Sequence, residues 1–309
     1  MKQAASPEIS DVRGRVRRGG LLTRLTNDRL ASSGLVVVVV LITAAVFAPL
    51  LAPHDPAQID PLARLAGSTT NHPLGTDELG RDVLSRLLYG ARWSLGIAAL
   101  ATMVVASIGV TIGLISGYLG GVLDTITMRI VDVLLAIPSL VLYLAIVGTL
   151  GPGIRNVFIA LVCVAWAGYA RVVRGIVLSI RERDFVRASR SLGAGHGRLM
   201  FRHVLPHVAG PVVVLASLQV GGTILALSAL GFFGLGAQPP TPEWGTMINQ
   251  GRLFLQTEPS LMIYPGIAIS LAVLGFNLLG DGLRDALDPR LAIHLRGHRR
   301  SSRAESDMR

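Results

Sequence analysis

The sequence runs to 309 residues, with 51% apolar and 16% charged side chains, well below the roughly one-quarter charged fraction of soluble domains. Its net charge is +10 and Lys2 is the sole lysine, which excludes P-loop ATP hydrolysis and Schiff-base chemistry, since both need a lysine at the site. A mean hydropathy of +0.56 and arginine blocks beside apolar runs point to a membrane protein rather than a nucleic-acid binder.

About thirty polar residues precede the first apolar run, too long a lead-in for a cleavable signal, and no small-residue cleavage pattern follows. A helix needs about 20 apolar residues to cross a bilayer. Stretches of that order lie at Leu30 to His54, Trp93 to Leu123, Val133 to Ile154, His203 to Pro242 and Pro259 to Gly280. Asn156 to Ala170 is shorter. It extends through Arg171 and Arg174 if their side chains snorkel to an interface. Six spans leave both termini on one side. All but six of the 29 basic residues then share that side, the six being Arg64, Arg81, Arg86, Arg92, Arg155 and Arg252. The positive-inside rule makes that side the cytoplasm.

The loop from His54 to Arg92 opens on the turn-rich PHDPAQIDP. Leu79, Val83, Leu84, Leu87 and Leu88 then recur at helical spacing, with Arg81, Asp82 and Arg86 on the other face. This predicts an amphipathic helix lying at the membrane surface. A second such helix is expected over Glu243 to Leu255, with Trp244, Met247, Ile248, Gly251 and Leu255 on one face. Its lead-in, QPPTP, blocks regular helix. Both read either as interfacial anchors or as a surface on which a solute-delivering partner docks.

Within the spans, Pro138 should kink the third helix. The fifth holds Gly221, Gly222 and Gly231, which serve close helix packing or a bending pathway. Arg129 is placed to pair with Asp132 at i,i+3. Mid-membrane carboxylates are nearly absent, which argues against proton coupling. Cys163 reads as a small buried apolar residue. GAGHGR, from Gly193 to Arg198, has no preceding strand and is not a dinucleotide site. The seven histidines form no evident transition-metal cluster, because His203 and His207 are separated by Pro206 and have no third ligand nearby. No catalytic triad is expected, since outer carboxylates and inner histidines lie on opposite sides.

The stretch Arg181 to Pro206, RERDFVRASRSLGAGHGRLMFRHVLP, is a polar island between the fourth and fifth spans. Phe185, Ala188 and Leu192 form a short apolar stripe among arginines, Gly193 is placed for a left-handed cap, Leu199 to Leu205 forms a second segment, and Pro206 closes it. Here the sequence resembles the inner-membrane permeases of binding-protein-dependent ABC importers. Their inner-loop pattern runs EAA, three residues, Gly, nine residues, Ile, any residue, Leu-Pro. Arg187-Ala188-Ser189, Gly193, His203, Leu205 and Pro206 keep that spacing, with Arg187 in place of Glu and His203 in place of Ile. HPLGTDELGRDVLSRLLYGARWSL and WGTMI are similar to the dipeptide, oligopeptide and nickel branch, second-permease type.

The resemblance implies an all-α, type I importer fold with six spans and both termini cytoplasmic, in the bacterial cytoplasmic membrane. It divides the chain into a basic tail (1–29), a first span with extracytoplasmic loop (30–91), a permease core (92–283) with a coupling loop (181–206), and a basic tail (284–309). It implies peptide import by alternating access, with nickel or another small solute as the alternative; an ion-coupled secondary transporter would leave the inner loop unexplained. The implied partners are a second permease subunit, two ATPase subunits that bind ATP and magnesium in this chain's stead, an external solute-binding protein and lipid. No cofactor, resident metal or nucleic acid is implied. Phe185, Arg187, Ala188, Ser189, Leu192, Gly193, His203, Leu205 and Pro206 would meet the ATPase, and Pro138, Gly221, Gly222 and Gly231 would serve the pathway or its hinges.

Overall fold

The computed structural model describes residues 25, 26 and 28–287. Most of the basic residues in the two tails therefore lie outside the described residues. Among the described residues the regular elements are all helices, with one isolated bridge between Thr76 and Asp82. Helix α1 (Arg29–Val46) is capped by Asp28, whose carboxylate accepts from the Leu30 N–H. Helix α2 (Val83–Leu119) is capped by Asp82 accepting from Ser85 N–H, and ends at Gly120 with φ +69°. At 1.5 Å per residue its 37 residues reach about 55 Å, well beyond an apolar core of about 30 Å. The expected surface helix and second span are thus one rod, and the boundary at residue 92 falls inside it. Arg81, Asp82 and Arg86 are buried rather than turned to solvent.

Helices α3 (Gly121–Ala136) and α4 (Ser139–Leu150) meet at an angle of 91°. The expected kink is a full break. Pro138 has no N–H to donate, and Ile137 before it is extended, at φ −100° and ψ 134°, as residues preceding proline tend to be. Helix α5 spans Ile154–Arg181, α6 is the short Asp184–Ser191, α7 is Leu205–Phe232, α8 is Trp244–Gly251 and α9 is Ser260–Leu287. Among the described residues five helices are long and apolar enough to cross a membrane, and six spans result if the bent α3–α4 pair is one.

Helices α2 and α5 form the tightest seam. Gly109, Gly113 and Gly117 recur every fourth residue of α2. A Cβ at Gly109 would strike Tyr169, one at Gly113 would lie 2.5 Å from the Ala170 carbonyl oxygen, and one at Gly117 3.1 Å from Val177. Small residues at this spacing let two membrane helices touch backbone to backbone. Helix α3 is tied to α5 by charge. Arg174 forks onto Asp124 at 2.5 and 2.7 Å, and Arg171 pairs with Asp132. Asp132 therefore pairs across helices instead of with Arg129, and the two α5 arginines have carboxylate partners rather than simply snorkelling. Cys163 is exposed on the outside of the bundle, so it is not the buried filler expected. A thiol is tolerated against lipid or protein.

The candidate functional site

The two ends of the bundle differ in chemistry. At one end, residues 52–82 and 233–259 pack over the starts of α2 and α9. The Asp77 carboxylate accepts from the Arg81 backbone N–H (3.0 Å) and Nε (2.7 Å), and pairs with Arg86 Nε at 3.3 Å. Arg86 also donates to Gln250 Oε1, at 2.9 Å. Glu243 caps α8 by accepting from the N–H groups of Gly245 and Thr246, and Ser94 of α2 donates to it at 3.3 Å. Trp244, 1% exposed, donates its indole N–H to Leu87 O at 3.0 Å. The helix expected to lie at an interface is thus pinned into the core through Trp244 and Met247, while Leu255 remains exposed. Burial pushes the Glu243 carboxyl above its ordinary value, partly offset by those hydrogen bonds.

The opposite end carries residues 181–206. Arg181 anchors it by donating to the Gly117 carbonyl at 2.8 Å. Asp184 sits in the first turn of α6, where its charge suits the helix dipole. Val186 is fully buried against Tyr118, Val177, Ile180 and Leu199. Leu192 (89% exposed) and Ala188 are exposed, and Phe185 (39% exposed) is partly covered, its ring centroid 5.5 Å from that of His207. Ser189 Oγ donates to the Phe185 carbonyl at 2.9 Å.

Gly193 has φ +81°. Its N–H donates to Arg190 O and the Ala194 N–H to Ser189 O, which is the Schellman arrangement that ends helices on a left-handed residue. The expected cap is therefore formed. The second half differs from expectation. His196 to Phe232 is one continuous helical rod, with a π-helical turn at Leu199–Val204. Leu205 N–H reaches back five residues to Met200 O. Pro206 lies in the first turn of α7 and does not close the segment. It cannot donate to the carbonyl four residues back, and the π turn accommodates it. His203 is half-buried, and Leu205 packs against the cluster around Val186.

Arg187 is exposed and donates to Glu182 Oε2 at 2.8 Å. That hydrogen bond, with the attraction of the two charges, lowers the Glu182 carboxyl and raises the Arg187 guanidinium. Arg190 lies 5.9 Å from the Tyr118 ring centroid, and Tyr118 is hydrogen-bonded to His196. The structure thus gathers Phe185, Arg187, Ala188, Ser189, Leu192 and Gly193 on one protruding unit, with His203, Leu205 and Pro206 on the rod behind it.

The four pathway candidates are not gathered. Pro138 lines a cavity of about 590 Å³ at the α3–α4 break, with Ser139, Tyr143, Tyr169 and Gln219 supplying polar groups. Gly221 faces Asn277 and Val273 of α9, and a Cβ at Gly222 would meet only the Gln219 side chain, at 3.7 Å. A Cβ at Gly231 would strike Glu243 and lie 2.8 Å from Thr246 N. Sequence reasoning also missed Tyr169 and Gln219 of the cavity, and the Gly109, Gly113 and Gly117 stripe, whose spacing of four was the available signal.

Residues 109–293 match the family described as binding-protein-dependent transport system inner membrane component. The chain belongs to that family. Residues 20–73 match the N-terminal transmembrane domain of oligopeptide transport permease C. A dipeptide transport system permease of Alkalihalophilus pseudofirmus is 45% identical, covering 87% of this chain and 88% of its own length. A di/tripeptide permease of Pseudomonas aeruginosa is 46% identical, covering 86% and 89%. A nickel permease of Escherichia coli is 43% identical, covering 83% and 93%. The chain is thus a multi-pass membrane subunit of an ABC importer, working with other subunits of its complex.

Proposed function

We propose that the chain is one of two distinct permease subunits of a peptide importer and that residues 181–206 receive movement from a separate ATPase. The observation that carries this reading is the build of α6, with Val186 as its anchor and Phe185, Ala188 and Leu192 exposed beside a Schellman-capped Gly193. A short helix held at its base and bare at its tip can pass displacement from a docked partner into the rod that becomes α7. ATP and magnesium belong to two partner ATPases, and this chain carries no nucleotide chemistry of its own. Both termini face the cytoplasm, following the arginine distribution, so the Asp77 and Glu243 end faces outward toward a solute-binding protein. A second permease covers exposed apolar flanks of the bundle, and lipid covers others. Alternating access moves solute past the α3–α4 break at Pro138, with Gly221, Gly222 and Gly231 the positions at which α7 would flex.

Peptide is favoured as the solute because the dipeptide and di/tripeptide relatives match over most of both chains. Nickel is the second reading, supported by the nickel permease at 43% identity. The test is reconstitution with the partner permease, ATPases and binding protein in proteoliposomes. ATP-dependent uptake of labelled dipeptide is expected. Uptake of Ni²⁺ without peptide would favour the second reading, and uptake of neither would reject both. Deleting residues 185–192 should abolish ATPase association and uptake together.

A further inference from the structure

The loop that follows α1 brings three metal-ligand side chains together. His54, His72 and Asp82 each offer one donor atom, and these atoms lie within 4.8 Å of one another. His72 Nδ1 is 3.0 Å and His54 Nδ1 3.9 Å from Asp82 Oδ1. The two imidazoles stack with centroids 4.6 Å apart. The sequence reading found no metal cluster among the histidines, because these three residues are separated along the chain and only the fold of the loop joins them.

We propose that His54, His72 and Asp82 form a binding site for one divalent transition-metal ion, of the zinc or nickel class. Zinc and nickel both favour imidazole, and a two-histidine, one-carboxylate set suits either. Metal–ligand bonds of 2.0–2.2 Å put the ligands of a tetrahedral ion about 3.4 Å apart. The observed 3.0 and 3.9 Å bracket that spacing, so small side-chain rotations suffice.

Each donor is held by other contacts. Asp82 uses Oδ2 to cap α2 through the Ser85 N–H at 2.7 Å, leaving Oδ1 for the ion. The His54 backbone N–H donates to Ser85 Oγ at 3.1 Å, and the His72 N–H to Thr69 Oγ1 at 3.0 Å. His54 Nδ1 is buried and has no hydrogen-bond partner, an arrangement that costs free energy unless something occupies the site. On binding, the His72–Asp82 hydrogen bond is replaced by two metal bonds and the imidazole carries its proton on Nε2. The side chains of His54 and His72 are 34% and 19% exposed, which leaves an entry path and a fourth position for water. The ion would staple the segment just after α1 to the cap of α2, joining the N-terminal span to the core.

The test uses the full-length chain in detergent without a histidine tag, stripped with chelator and dialysed against Zn²⁺ or Ni²⁺. The expected result is one ion per chain with micromolar or tighter affinity, and a higher melting temperature with metal. His54→Ala should weaken binding by more than about tenfold, the loss typical even when only a hydrogen-bond partner of a ligand is removed. It should leave the metal-free melting temperature unchanged. His54→Cys should retain zinc, and Mg²⁺ should not compete. His207→Ala and His298→Ala test two of the five other histidines and should bind as the parent does. Absence of binding at micromolar metal, or binding unaltered by His54→Ala, would overturn the site. Because the readout is binding alone, its failure leaves the transport reading untouched.

Discussion

The outer loops and the inner coupling segment solve opposite problems. At the outer end Asp77, Arg81, Asp82, Arg86 and Glu243 are buried with partners, so polar groups from α2, α8 and the first loop hold one another in a fixed arrangement. At the inner end α6 buries Val186 and leaves Ala188 and Leu192 bare and Phe185 partly exposed. A buried ionic network tolerates little change, because removal of one member strands the others in a poorly solvated place. An exposed segment tolerates much, and its side chains are free to meet a partner. Stability should therefore reside at the outer end and partner-dependence at the inner end.

The largest stability effect is expected from Asp77→Ala, which strips Arg81 and Arg86 of a buried partner and should cost about 3–5 kcal/mol. Thermal melting of the detergent-solubilised complex measures it. Next is Gly231→Ala, where a Cβ would meet Glu243 and Thr246, an overpacking worth about 1–3 kcal/mol. Gly222→Ala, whose Cβ would meet only the Gln219 side chain at ordinary contact distance, 3.7 Å, should be neutral in the same melt. If Gly231→Ala instead kept its melting temperature and lost only uptake, α7 would be a hinge at that point rather than a packing contact.

A smaller effect separates the ends by pH. Burial raises the Glu243 carboxyl above its ordinary value near 4.5, so the fold favours the protonated form. Its contribution is full below the unfolded-state value and declines as pH rises through the folded-state value. Melting temperature should thus fall as pH rises above the ordinary carboxylate value, and Glu243→Gln should flatten that slope. The smallest is Arg187→Ala. This residue is exposed and pairs only with exposed Glu182 among the contacts described, so the melt should be unmoved.

How legible these features were in the sequence follows from the range of the interactions. The apolar spans are local properties of composition, and five or six emerged as expected. The Gly193 cap was legible because a left-handed residue after an amphipathic stripe is encoded within ten residues. The continuity of α2 was hidden by its charged start. Asp82 and Arg86 read as a solvent face, but His72 covers Asp82, and Asp77 and Gln250, far apart in sequence, cover Arg86. Pro206 misled for a related reason, since a proline ends a regular helix but is admitted after a π turn. The coupling helix likewise places its buried contact at Val186, one residue along from the visible stripe at Phe185. The charge ties of Asp124 and Asp132 run to a helix some forty or fifty residues on, beyond any i,i+3 reading.

The central claim is that force enters through the bare face of α6. The direct measurement is ATP-dependent peptide uptake by the reconstituted importer carrying Phe185→Ala with Leu192→Ala, alongside its melting curve and pull-down of the ATPase. The expected result is at most a small shift in the melt, from loss of the Phe185–His207 ring contact, with weakened ATPase association and uptake reduced at least about tenfold. Full uptake and normal ATPase association in that double variant would contradict the account.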